Sequence, residues 1–318
     1  MKQHGTSGAM MALSGRRGLG NERGAVEVVG VIGLGTMGGA MARHLLAAGY
    51  RVVGHDVDAG AAERCAAAGG TVVVSAAEVA ASSDVVILSL PSVAAFDAVV
   101  RGPGGLTEAA MPRCRIVAET STLPLEEKEA AHSELLGHGL ELLDCPISGT
   151  GAQMAAGDAV FYASGDAEAL EDVSPVLSAC GRAVFGLGVF GNGTKLKLIA
   201  NLLVATHNAS AAEALVLARA GGIEPSEALQ ALVAGAGTSR MLELRGPMMV
   251  AQKYEPASMK VLLFMKDIAI IRAFARETGC ELEVFEAAAR LHQAALDAGW
   301  SEADPASVHA VVHHQPPT

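Results

Sequence analysis

The chain has 318 residues, half of them apolar, with 23 Lys and Arg against 34 Asp and Glu and a formal charge of −11. Such an acidic chain lacks the basic footprint that nucleic acids and anionic membranes require, and none of its apolar runs is long enough to span a bilayer. The length allows two domains, and five scattered cysteines without C-x-x-C spacing fit a reducing cytoplasm rather than a disulfide framework.

Residues 1–26 are rich in Gly, Ser and Arg and carry no strand or helix period, and Arg16-Arg17 precedes no apolar h-region. They read as a flexible extension, not a signal peptide. An apolar, β-branched run follows (Val28, Val29, Val31, Ile32), the pattern of a buried strand. Gly33, Gly35 and Gly38 come next in G-x-G-x-x-G spacing, and a helical apolar period starts at once with Met37, Met41, Leu45 and Leu46. Strand, glycine turn and helix in that order are the context a dinucleotide fingerprint requires. Gly33 would permit the tight turn, Gly35 close approach of a pyrophosphate, and Gly38 packing of helix on strand. The helix start would offer N–H groups to phosphate. A plain glycine turn in a βα unit is the other reading. The next strand, Arg51–His55, weighs against it. That strand ends at Asp56, about twenty residues on, where a carboxylate accepts from adenine-ribose hydroxyls. Asp58 stands close by and no arginine is adjacent, so a 2′-phosphate is disfavoured and NAD is expected over NADP.

From residue 27 to 190, short β-branched runs alternate with Ala- and Leu-rich helical patterns, the signature of a parallel sheet. The spacing predicts helices over 37–48, 59–68, 76–81, 93–100 and 124–137. Strands are predicted over 51–55, 71–74, 84–89, 115–119, 141–144, 159–164 and 183–185. At Gly191 the pattern changes to a long helix over 193–220, then helices over 225–234, 241–251, 257–277, 282–297 and 305–312. The expected architecture is α/β: an N-terminal doubly wound (Rossmann) parallel sheet over 27–190, a long interdomain helix over 191–222, and an all-α C-terminal domain over 223–305. A polar tail is expected over 306–318; its His309, His313 and His314 suit a disordered end better than a metal site. No metal is expected. Ligands of open α/β sheets bind outside the carboxyl ends of the strands, so the active site is expected there, in a cleft beside the helical half.

The long helix holds a polar set. Lys197, Asn201 and Asn208 stand at i, i+4 and i+11, within about 40° of one another at 100° per residue. The rest of that helix is apolar nearly all round and is expected to be buried, where polar groups need partners or a wet cavity. A lysine one turn from an asparagine, beside a nucleotide, can give a proton to a carbonyl or take one from a hydroxyl. Its pKa, about 10.4 when free, falls on burial or beside another cation. A lysine snorkelling to solvent is the alternative. Lys195 points about 200° away and is expected to meet solvent. Cys145 is read as a buried, inert cysteine rather than a reactive thiol.

Several motifs stand in order along the chain: Gly33-Leu34-Gly35-Thr36-Met37-Gly38, Leu90-Pro91, Ser121-Thr122 with Pro124, Asp144-Cys-Pro-Ile-Ser148-Gly149, Gly191-Asn-Gly-Thr-Lys-Leu-Lys197-Leu-Ile-Ala-Asn201, and Phe264-Met-Lys266-Asp267. Over residues 28 to about 305 the chain resembles the β-hydroxyacid dehydrogenase family, which includes 3-hydroxyisobutyrate dehydrogenase and 2-hydroxy-3-oxopropionate reductase. The resemblance implies that Leu34, Thr36 and Met37 of the glycine loop, with Leu90, Pro91 and Thr122, contact the cofactor. It implies that Ser148 and Gly149 hold a substrate carboxylate, that Lys197 is catalytic with Asn201 as its partner, and that Lys266 reaches the cofactor.

Each motif also has a local reading. Ser148-Gly149 could converge a hydroxyl and an N–H on an anion, or be an ordinary turn. Ser121, Thr122 and Pro124, followed by Glu126 and Glu127, carry helix-capping chemistry. Lys266-Asp267 is either a solvated pair or a partly buried one amid Val261, Leu262, Leu263, Phe264, Ile268 and Ile270. Two departures from the family bear on the substrate. Thr150 stands where many relatives have a second glycine, narrowing the pocket and adding a hydroxyl, and Ala200 stands where many have Asn.

The expected reaction is hydride transfer between NAD, less readily NADP, and a small carboxylate substrate, a β-hydroxy acid or its semialdehyde. A cytoplasmic homodimer or homotetramer is expected, with no nucleic-acid or membrane partner. An imine reductase and a non-catalytic nucleotide-binding protein are the alternatives on this fold; the Lys197–Asn201 pair weighs against both.

Overall fold

The computed structural model describes residues 26–110 and 112–314. The expected extension therefore lies outside the described residues, save for Val26. The chain folds as two compact units, one running to Lys197 and one from Leu198 onward.

The first unit opens with β1 (Val28–Ile32), α1 (Thr36–Ala47), β2 (Arg51–His55), α2 (Ala59–Ala67), β3 (Thr71–Val72), α3 (Ala76–Ser82), β4 (Val85–Leu88), α4 (Val93–Arg101), β5 (Ile116–Glu119), α5 (Leu125–Gly137) and β6 (Glu141–Asp144). The six strands form one parallel sheet in the order β3-β2-β1-β4-β5-β6. Strand order reverses between β1 and β4, the switch point where a crevice opens beyond the strand ends.

Successive strand residues serve opposite faces. Val29, Val31, Val85, Ile87, Ala118 and Leu143 pack with Met41 and Leu45 of α1. Val28, Ile32, Val86, Leu88, Val117 and Leu142 pack with Val79, Phe96 and Leu135. With both faces covered, the strands read as continuous apolar runs. A side chain such as Leu45, fully buried, contributes about 1.5–3 kcal/mol.

Beyond β6 the chain builds a second sheet from β7 (Ile147–Ser148), β8 (Val160–Ala163) and β9 (Ala183–Gly186), with α6 (Gly151–Ala155) and α7 (Ala167–Cys180) between them. β7 is antiparallel to β8, and β8 is parallel to β9. The strands expected over 159–164 and 183–185 belong to this sheet. The sequence pattern did not show β7, α6 or α7.

α8 (Asn192–Ala220) is one continuous helix. From Leu198 on, with α9 (Pro225–Ala234), α10 (Arg240–Ala251), α11 (Val261–Thr278), α12 (Glu283–Asp297) and α13 (Val308–Val312), it makes the second unit. Two expectations are corrected here. α8 is not buried all round: Ile199, Leu203 and Leu217, within about 40° of one another around the helix, are all about half exposed or more. Nor is 306–314 a polar tail. Val308 and Ala310 are fully buried in a core with Leu215, Met249 and Tyr254, and the Tyr254 hydroxyl hydrogen-bonds His309 Nδ1 at 2.9 Å. Apolar burial and a satisfied imidazole outweigh the polar look of the segment. No helix among the described residues is long and apolar enough to cross a membrane.

Candidate active site

The carboxyl ends of β1, β2, β4 and β5 bring the glycine loop, Asp56, Leu90, Pro91 and Thr122 to one edge of the parallel sheet, while Ser148 to Thr150 lie at the end of β7 and Lys197 on α8. Gly33 leaves β1 at φ +89°, which glycine adopts without strain. A Cβ on Gly38 would overlap the Gly33 carbonyl, so α1 packs directly on the turn. A Cβ on Gly35 would meet nothing within 4 Å. Gly35 and Thr36 are exposed, Met37 is half-buried, and Leu34 is buried beneath the loop.

α1 begins without a side-chain cap and without an acid in its first turn. By contrast Asp58, Ser75 and Ser92 cap α2, α3 and α4. A bare helix start presents N–H groups and a partial positive charge, the features that hold phosphate. Beside it, Asp56 Oδ2 accepts the Leu34 N–H at 2.5 Å and Oδ1 accepts the Asp58 N–H at 2.8 Å. Each oxygen keeps acceptor capacity for a ribose hydroxyl. An open glycine cradle, an uncapped helix and this carboxylate fit a dinucleotide.

The surroundings are less anionic than the sequence suggests. Arg64 Nη2 lies 3.8 Å from Asp58 Oδ2, and Arg43 and Arg64 border a cavity of about 240 Å³ together with Leu34, Gly35 and Thr36. The helix period of α2 brings Arg64 back to the loop, although no arginine is adjacent in sequence.

Leu90 and Pro91 follow β4, and Ser121 and Thr122 follow β5. The Leu90 N–H donates to Ser121 Oγ at 2.8 Å, and the Ser121 N–H donates to Glu119 Oε1 at 2.8 Å. The capping reading of Ser121 and Thr122 is corrected: the N-cap of α5 is Pro124, with no side-chain hydrogen bond. The Ser121 hydroxyl ties two loops together instead. Thr122 is half-buried.

Ser148 ends β7, and Gly149 and Thr150 lead into α6, all three half-buried. Thr150 forms a capping box: its Oγ1 accepts the Gln153 N–H at 3.3 Å and its own N–H donates to Gln153 Oε1 at 3.0 Å. The box does not use the hydroxyl proton, which can donate to another acceptor.

α8 is anchored at its first turn. Asp144 Oδ2 accepts the Thr194 N–H and Asp144 Oδ1 accepts the Thr194 hydroxyl, each at 2.7 Å, while Ser164 Oγ accepts the Gly193 N–H at 2.9 Å. Lys197 follows within a turn and is 7% exposed, which rules out a side chain extended into solvent. Lys195, expected in solvent, is half-buried.

Within the second unit Asn201 is 3% exposed, and its Nδ2 donates to Asp267 Oδ2 at 2.9 Å. Asp267, itself 4% exposed, is a candidate the sequence reading left as half of a charge pair; Lys266 Nζ stands 3.9 Å from its Oδ1. The signal was present, since Asp267 falls on the buried stripe of Val261, Phe264, Ile268 and Ile271, where a carboxylate needs a partner. Asn208 is fully buried, and neither amide atom has a hydrogen-bond partner among the described residues.

Lys128 of α5 was also missed. It is fully buried; its Nζ donates to the Ser121 carbonyl at 2.8 Å and to Asp144 Oδ1 at 2.9 Å. It also forms an ion pair with Glu119 Oε2 at 2.5 Å. Burial pulls its pKa down, but the Asp144 and Glu119 carboxylates outweigh that and hold it above the usual lysine range. Cys145 is fully buried, and burial followed by the Asp144 charge pushes its thiol well above the usual value. It is not poised as a nucleophile.

Residues 28–191 match the family model described as the NAD binding domain of 6-phosphogluconate dehydrogenase, and residues 191–312 match the one described as NAD-binding of NADP-dependent 3-hydroxyisobutyrate dehydrogenase. The chain is 35% identical to the L-threonate dehydrogenase of Cupriavidus necator over 281 residues, 88% of this chain and 94% of that protein. It is 32% identical to the NAD-dependent L-serine dehydrogenase of Pseudomonas aeruginosa over 285 residues, 88% of this chain and 95% of that protein. The crystal structure of 3-hydroxyisobutyrate dehydrogenase from Salmonella typhimurium matches with a TM-score of 0.80 at 29% identity, covering 90% of this chain and 99% of that one. Fold and matches together define a nicotinamide-nucleotide-dependent oxidoreductase acting on hydroxyl groups. The chain belongs to the β-hydroxyacid dehydrogenase family.

Proposed function

We propose that the chain interconverts a small β-hydroxy acid and its carbonyl form, with Lys197 as general base in oxidation and general acid in reduction. The observation that carries this reading is a buried lysine on a helix whose first turn is bonded into the carboxyl edge of the sheet. When bound, the dinucleotide supplies the hydride acceptor or donor. The uncapped start of α1 would hold its pyrophosphate and Asp56 its adenine ribose. Leu90, Pro91 and Thr122 would line the nicotinamide side, and the family resemblance assigns Lys266 to the cofactor as well.

The Ser148 hydroxyl and the Gly149 N–H hold the substrate carboxylate. Lys197 Nζ takes the substrate hydroxyl proton in oxidation and returns it in reduction. Asn201 stands one turn along the same helix. Its Nδ2 is committed to Asp267, and the family resemblance assigns Asn201 as the partner of the lysine. NAD is favoured because the Asp56 carboxylate opposes a 2′-phosphate; Arg43 and Arg64 soften that preference without reversing it.

The relatives named for L-threonate and L-serine support a substrate with a polar substituent, and the Thr150 hydroxyl suits one. The exposed apolar stripe of Ile199, Leu203 and Leu217 supports a homodimer or homotetramer, with the cytoplasm as its compartment. The test is nicotinamide absorbance with L-threonate, L-serine, 3-hydroxyisobutyrate and tartronate semialdehyde, each with both cofactors. Turnover of at least one, with kcat/KM about tenfold or more in favour of NAD, is expected. NAD binding without turnover of any of them contradicts the reading.

A further inference from the structure

We propose that Lys128 is a positioning residue: one buried ammonium fixes the loops after β4 and β5 against the first turn of α8, and thereby sets where Lys197 stands. The inference rests on the role given to Lys197 above.

An ammonium carries three donors and no acceptor, and out of water it needs both counter-charge and hydrogen bonds. Lys128 has two carboxylates and a carbonyl around it: Asp144, Glu119 and the Ser121 oxygen. The two acids exceed the one cation by a charge, and further donors meet the excess. They are the Ser121 N–H on Glu119 and the Thr194 N–H and hydroxyl on Asp144. The Ser164 hydroxyl adds a longer contact of 3.3 Å to Asp144 Oδ2. The partial positive charge at the start of α8 favours Asp144 too.

The connections out of this cluster reach the candidate site. Ser121 passes to the Leu90 N–H through its hydroxyl, so the Leu90-Pro91 loop and the Thr122 loop both hang on the residue that Lys128 binds. Asp144 passes to Thr194, less than one helical turn before Lys197. A purely stabilising role explains this poorly. A buried ion cluster gives little net stability compared with apolar side chains of the same volume, and this one lies at the sheet edge where the loops converge.

Lys128→Met strands two buried carboxylates and risks misfolding, so Thr194→Val, which removes one hydroxyl donor at nearly constant volume, is the primary variant. Hydrogen exchange of the full chain without cofactor reads the coupling directly. Thr194→Val is expected to speed exchange about fivefold in 192–198 and also at residue 90 and in 120–123, with recovery of both regions in Thr194→Ser. With NAD and the hydroxy acid, kcat is expected to fall about tenfold, its pH midpoint to move, and KM for NAD to stay within about twofold. Lys128→Met, where it folds, gives the same exchange pattern with a raised KM for NAD. Faster exchange confined to 192–198, unchanged exchange, a loss that Thr194→Ser does not recover, or a wild-type kcat and pH profile overturns the proposal. If the wild-type chain turns over no hydroxy acid, the role of Lys197 fails, and the exchange data still decide whether the cluster couples the two regions.

Discussion

Asn201 and Asp267 are joined by a 2.9 Å hydrogen bond from amide nitrogen to carboxylate oxygen, and both side chains are buried. The bond fixes the orientation of the amide. Asp267→Asn keeps the volume and removes the charge, so the amide loses its preferred orientation. A buried hydrogen bond to a charged group contributes about 1.5–3 kcal/mol, so kcat/KM is expected to fall about tenfold to a hundredfold. Steady-state kinetics beside a calorimetric Tm separates this loss from unfolding.

The Asp56 carboxylate pins the Leu34 N–H and is the group proposed above to bind the adenine ribose. Asp56→Asn retains an acceptor but removes the charge. The ratio of kcat/KM for NAD over NADP is expected to drop by about tenfold or more. An unchanged ratio would show that Asp56 does not set the cofactor preference.

How much of this was readable beforehand differs between elements for physical reasons. The strands β1, β2, β4, β5 and β6 were legible because a sheet buried on both faces imposes continuous apolar runs. The Gly33–Gly38 turn was legible because backbone overlap at Gly33 and Gly38 leaves no choice of residue. Lys128 was not, since Leu125-Glu126-Glu127-Lys128-Glu129 looks like a solvated helix face. Its only signal was period: Ala131 and Leu135, at i+3 and i+7, share its buried stripe. Asp267 hid in the same way; the helix expected over 305–312 is present as α13, but the burial of Val308 and Ala310 was hidden by the polar look of His309, His313 and His314. In each case a polar residue on an apolar stripe was the informative feature.

Four of the five cysteines are buried, and Cys280 is exposed. Burial raises the thiol of Cys65 and pushes those of Cys114 and Cys180 up to about 12. Ellman's reagent should therefore titrate one thiol per native chain and all five after denaturation, and Cys280→Ser should abolish the native reaction. A second fast thiol in the native chain would refute the burial pattern.

Acid stability should follow two buried histidines in the second unit. Burial lowers His292 from 6.5 to about 4, and burial, then the charges of His313 and Arg219, lowers His309 to about 4. Between those values the unfolded chain binds protons that the native chain refuses. Stability is thus fully present above about pH 6.5 and is lost as pH falls toward 4, by at most roughly 3 kcal/mol for each histidine. Asp304 adds a lower step. Burial would raise its carboxyl, but Arg245, 2.6 Å away, and Ser258 hold it below the usual 3.8, so its contribution disappears only beneath that value. Calorimetric Tm between pH 4 and 7 should decline on the acid side, and His292→Gln should flatten the slope by about half.

Turnover by Lys197→Met, measured with NAD affinity and Tm on the same preparation, tests the general-base role most directly. The expected result is a kcat lower by about 10³-fold with Kd for NAD within about twofold and an intact Tm. A kcat within about tenfold of wild type would show that the proton goes elsewhere and that Lys197 is not the acid–base group.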